Sequence, residues 1–117
     1  ICMGSLAVYS RGRKGGQNQL LFANPHNLAR EDGKEEPGKS RDRKNLTIKF
    51  SPDDGQTWPA SRSLEPGYSA YSDLAVLPDG TILCFYERGT AGTPRDRYAA
   101  LCVARINLEW VKTTIDP

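Results

Sequence analysis

No stretch of this sequence approaches the roughly 18 consecutive apolar residues of a transmembrane helix, so no membrane span is expected in it. An excess of either charge is missing too. With 16 Lys and Arg against 14 Asp and Glu, the net charge of +2 does not suit a partner held by many phosphate contacts, and nucleic acid is not expected. Cysteine is scarce. Cys2, Cys84 and Cys102 are odd in number, widely spaced and without a Cys-x-x-Cys pair, which argues against a zinc site or a dense disulfide framework. Cys84 and Cys102 lie in apolar runs and read as small core hydrophobes, with a Cys84 to Cys102 bridge left open. The one histidine, His26, sits in a polar stretch and reads as an exposed loop residue, not a ligand. Neither a metal nor a cofactor is implied.

Turn chemistry is plentiful: eleven glycines and eight prolines against an apolar content of 38% describe short strands joined by many tight connections, with no long helix. Five runs read as strands, namely 5–10, 19–23, 45–51, 74–77 and 81–87, and a sixth, 98–105, continues or bends towards Trp110. In 45–51, Leu46, Ile48 and Phe50 alternate with Asn45, Thr47, Lys49 and Ser51, the period of two of a half-buried strand. A basic, glycine-rich loop from Arg11 to Asn18 joins the first two runs, and Pro78-Asp79-Gly80 marks a tighter hairpin. An all-β antiparallel meander follows, for which sandwich, barrel and propeller all fit the local pattern. From His26 to Lys44 the chain is a long polar loop, of a length that points to function near its end. It opens on Ile1, without an initiator methionine, and is expected to be a piece of a longer protein. Localisation therefore stays open between secreted, lysosomal and cell-surface.

The segment Ser51-Pro52-Asp53-Asp54-Gly55-Gln56-Thr57-Trp58 carries a Ser-x-Asp-x-Gly-x-Thr-Trp spacing. Asp53 can accept backbone N–H bonds of the turn, Gly55 can take positive φ, and Trp58 can lay its ring against the sheet. The segment resembles the Asp box, or BNR repeat, of the sialidases (neuraminidases) and of some other propeller proteins, where it staples a hairpin. Further matches follow in that family's order: Leu20 to Pro25, Arg43-Lys44-Asn45-Leu46-Thr47, Tyr68 to Leu74, Val76 to Ile82, Phe85-Tyr86-Glu87, and Arg105 to Trp110, which resembles its closing strand. Nearly the whole chain is covered. The resemblance implies that 1–117 is a single C-terminal piece of a sialidase domain, without an internal boundary. Its antiparallel strands would form about two blades of a six-bladed β-propeller.

What the resemblance implies for chemistry rests on three residues. Sialic acid carries a carboxylate on its anomeric carbon, so a carboxylate nucleophile would meet a like charge, and sialidases use a tyrosine instead. Tyr71, immediately before Ser72-Asp73-Leu74, takes that position, with Tyr68 as its competitor. Arg43 resembles the third of the family's three carboxylate-binding arginines, with Arg41 as the alternative; a planar guanidinium can grip a carboxylate through two parallel bonds. Glu87 resembles the glutamate that orients the first arginine, although it could equally pair with Arg88 at a strand end. Asp73 reads as a turn or surface residue. A base for the phenol, an acid for the leaving group and two further arginines have no counterpart here, so the piece alone is expected to be inactive. The function implied is part of an exo-α-sialidase acting on sialylated glycans, glycoproteins or glycolipids. A non-catalytic Asp-box propeller that binds glycans or proteins is the alternative from another class, and a trans-sialidase or another acidic-sugar glycosidase is a nearer one.

Overall fold

The computed structural model describes residues 2–30, 32–35, 42–89 and 100–113. Six strands follow one another in space as they do in sequence: β1 (Ser5–Ser10), β2 (Gln19–Pro25), β3 (Lys44–Ser51), β4 (Ala60–Val76), β5 (Ile82–Arg88) and β6 (Ala100–Ile106). Every neighbouring pair is antiparallel. Alternation explains the register. Leu21 and Ala23 of β2 lie opposite Phe50 and Ile48 of β3, so one face of the first half is continuously apolar. In the second half Leu74 lies opposite Cys84, and Val76 opposite Ile82.

The sheet curls so that these two apolar faces meet. Leu21, Ala23, Leu46, Ile48 and Phe50 from one side and Leu74, Ile82, Cys84 and Tyr86 from the other form one core, closed at an end by Val111. Full burial of a Leu or Ile side chain contributes about 1.5–3 kcal/mol, and Leu21, Leu46, Ile48 and Ile82 are completely covered. Cys84 is a core residue whose thiol is pushed up to about 12 by burial. Cys84 and Cys102 are free and do not bridge; Cys102 lies opposite Tyr86. No described helix is long and apolar enough to cross a membrane.

β4 is where sequence pattern and structure part most. A strand is expected from the sequence only at 74–77, yet one 17-residue strand runs from Ala60 to Val76 through Pro66-Gly67. Its first part pairs with β3 and its last part with β5, and Pro66 falls at the irregularity between Leu46↔Glu65 and Lys44↔Tyr68. A proline without an N–H is tolerated there because the ladder is already interrupted. A second difference is at the end of the chain. Arg105 to Trp110, which resembles the family's closing strand and whose sequence lets the strand continue or bend, is β6 as far as Ile106 and then a one-turn helix, α1 (Leu108–Lys112). Asn107 turns the chain: its side chain accepts the Trp110 N–H at 2.9 Å and caps the helix. Arg62 reinforces the turn, donating to the Trp110 carbonyl while its guanidinium lies 4.2 Å from the Trp110 ring centroid.

Candidate functional site

The Ser51 to Trp58 turn is a closed unit. The Asp53 carboxylate accepts the Thr57 N–H at 2.8 Å, the Ser51 hydroxyl at 2.8 Å and the Thr57 hydroxyl at 2.5 Å. Ser51 Oγ in turn accepts the Gly55 N–H at 2.8 Å. Bonds to the ionised form hold the Asp53 carboxyl below its usual range, the Thr57 hydroxyl contributing most. Gly55 sits at φ +85°, where a side chain would be strained. The neighbouring Asp54 accepts the Asn18 N–H at 2.8 Å and so ties the turn to the β1–β2 loop. Trp58 lies against Phe22, their rings 6.2 Å apart and tilted by 59°.

At the other end of β3, roughly 25 Å along the strand from Ser51 to Arg43, a different arrangement forms. On β4 three steps from Ser69 to Ser72 face two steps on β5, from Arg88 to Tyr86, so one extra residue is accommodated at Ala70-Tyr71. Such a bulge re-aims a side chain and takes its N–H out of the ladder. The Tyr71 N–H is received by Glu87 Oε1 at 3.0 Å. The Tyr71 ring is 47% exposed, whereas Tyr68 is 4% exposed, with the Lys44 ammonium 4.8 Å from its ring centroid. Arg43, just ahead of β3, sets its guanidinium 5.5 Å from the Tyr71 ring centroid. Tyr71, Asp73, Phe85, Glu87 and Leu101 line an open cleft of about 290 Å³.

Arg43, Tyr71 and Glu87 thus converge, while the turn residues Ser51, Asp53, Gly55, Thr57 and Trp58 lie apart from them. Arg88 pairs with Glu65 of β4. Asp73 is exposed, as expected of a surface residue, and its carboxylate faces the Ser5 hydroxyl at 3.5 Å, a hydroxyl that also accepts the Leu74 N–H at 3.0 Å. Arg41 lies outside the described residues. His26 is exposed, as expected, and its backbone pairs with Asn45. Cys2 was missed: its thiol, pushed up by burial, lies within the fields of Arg43 and Glu87. No local pattern signals that proximity, because Glu87 is 85 residues away along the chain.

No family model matches the chain. Among curated proteins, the sialidase of Micromonospora viridifaciens is 48% identical over 65 residues, which is 56% of this chain and 9% of that protein. A Hadza microbial sialidase of known structure aligns over 95% of this chain and 18% of its own, at 30% identity and a TM-score of 0.64. The chain resembles sialidases in sequence and in fold. A second solved structure, the intramolecular trans-sialidase from Ruminococcus gnavus in complex with oseltamivir carboxylate, covers 97% of this chain and 24% of its own at a TM-score of 0.62. At 22% identity that likeness is one of fold alone. The chain therefore spans less than a quarter of each of these sialidase relatives.

Proposed function

We propose that this chain is the C-terminal part of an exo-α-sialidase domain and forms about two blades of a six-bladed propeller, with Ser51 to Trp58 as an Asp box. The convergence of Arg43 and Glu87 on Tyr71, beside an open cleft, carries this reading. In the intact enzyme the Tyr71 phenol gives its proton to a glutamate of another blade and its oxygen attacks the anomeric carbon. The glycosidic C–O bond breaks as an aspartate, also from elsewhere, protonates the leaving oxygen. Water then attacks the same carbon, breaks the bond to Tyr71 and yields sialic acid with retained configuration. Arg43 grips the substrate carboxylate. Glu87 accepts the N–H of the bulged Tyr71 and is also placed to orient another arginine. The substrates are terminal sialic acids of glycoproteins, glycolipids or free glycans.

Exposed apolar side chains support the larger assembly. Leu6, Val8 and Trp58 on one side and Phe85, Leu101 and Val103 on the other are at least 38% exposed, an arrangement suited to cover by adjoining blades. The test is to follow cleavage of an α-sialoside by the complete protein with proton NMR. The first product expected is the α-anomer of sialic acid. Initial release of the β-anomer would exclude a double displacement, and no release at all would favour the glycan-binding propeller.

A further inference from the structure

We infer that Asn45 is a positioning residue whose left-handed backbone sets Arg43 against Tyr71; this rests on the function proposed above for those two residues. Among the described residues only Asn45 and Asp54 take positive φ without being glycine, and Asn45 does so at +61° inside a strand. Asparagine tolerates that region best among side-chain-bearing residues, but the conformation is still costly and persists only where its surroundings hold it. Here they do. The Asn45 amide donates to the His26 carbonyl at 3.1 Å, its Oδ1 accepts the Ser63 hydroxyl, and its own carbonyl accepts the His26 N–H at 2.9 Å.

Arg43 and Leu46, on either side of Asn45, share a backbone partner in Ser69. Ser69, 1% exposed, donates its N–H to the Arg43 carbonyl at 3.0 Å, and its Oγ accepts the Leu46 N–H at 3.1 Å. Between two backbone groups clamped to one serine, the left-handed residue absorbs the irregular register of β3 against β4. Arg43 is thereby turned towards Tyr71, which lies only two residues beyond Ser69 on β4. An ordinary extended conformation at position 45 would carry Arg43 away from the cleft without touching the guanidinium itself. Asn45 therefore acts on substrate only through Arg43.

The complete protein and its Asn45→Ala, Asn45→Gly and Arg43→Lys variants test this with two probes, a 2,3-didehydro sialic acid and its uncharged C1 amide. Wild type is expected to prefer the acid. Asn45→Ala should cut that preference by about tenfold to a hundredfold, the scale of losing charge-assisted bonds, and approach Arg43→Lys. Asn45→Gly, which takes positive φ freely, should keep most of it. A merely structural role would weaken both probes together and leave their ratio unchanged, and that result overturns the inference, as does an equal loss in the Ala and Gly variants. If wild type itself shows no preference for the acid, the proposed function fails instead. The positioning claim is then read from crystal structures: Arg43 should stay over the Tyr71 ring in Asn45→Gly and leave it in Asn45→Ala. An unmoved Arg43 in Asn45→Ala contradicts it.

Discussion

The two ends of β3 differ in how completely they are built. At Ser51 to Trp58 one carboxylate, two hydroxyls and a left-handed glycine satisfy one another within eight residues. At Arg43, Tyr71 and Glu87 the groups come from a loop and two strands, and the cleft lined by Tyr71 and Glu87 is open. Nearby, the buried Ser72 hydroxyl has no partner among the described residues. A motif that completes itself serves the fold wherever it occurs; a constellation left open on one side depends on what else approaches it. On the function proposed above, the first would belong to stability and the second to chemistry.

If that division is right, the largest effect should come from the cleft and leave stability alone. Tyr71→Phe removes the oxygen proposed to attack the sugar, from an exposed ring. In the complete enzyme it should lower kcat by roughly a thousandfold or more, with an unchanged unfolding midpoint. Tyr68→Phe, at a buried ring, should retain most of the turnover. Equal losses in the two variants would erase the distinction between them.

The turn should respond in the opposite sense. Gly55→Ala forces a Cβ into φ +85°, with Leu20 and Trp58 in ordinary contact around it. It should cost about 1–2 kcal/mol of stability, measured by denaturant unfolding, while kcat/KM of the folded enzyme stays at the wild-type value. A selective loss of turnover would place the turn in the chemistry after all.

The smallest effect concerns pH. Because Asp53 titrates lower in the folded protein than in the unfolded chain, its contribution is present above the ordinary carboxylate value of about 4 and is lost as pH falls through the folded value. Asp53→Asn should therefore be less stable than wild type at pH 7, by thermal unfolding, with a gap that narrows in acid. A gap independent of pH would mean that the charge of Asp53 plays no part.

What was legible in the sequence follows the same division. The turn is short-range, so its spacing gives its geometry, and the alternation in β3 gives the core face of Leu46, Ile48 and Phe50 directly. β4 was mostly hidden because the strand is held by two different partners on its two halves, which no local pattern encodes. The helix after Asn107 was hidden by an apolar pattern that also suits a strand. In the cleft, residue types and order pointed to Arg43, Tyr71 and Glu87. The bulge at Tyr71 and the left-handed Asn45 depend on register, which no single strand encodes. An asparagine at the lead-in to a strand was the one local sign of the latter.

The central claim is that Tyr71 forms the covalent bond to the sugar. Treating the complete enzyme with a 3-fluorosialyl fluoride and mapping the modified peptide by mass spectrometry tests it most directly. One fluorosialyl group is expected on Tyr71 and none on Tyr68. A label on any other residue, with Tyr71 unmodified, would contradict it.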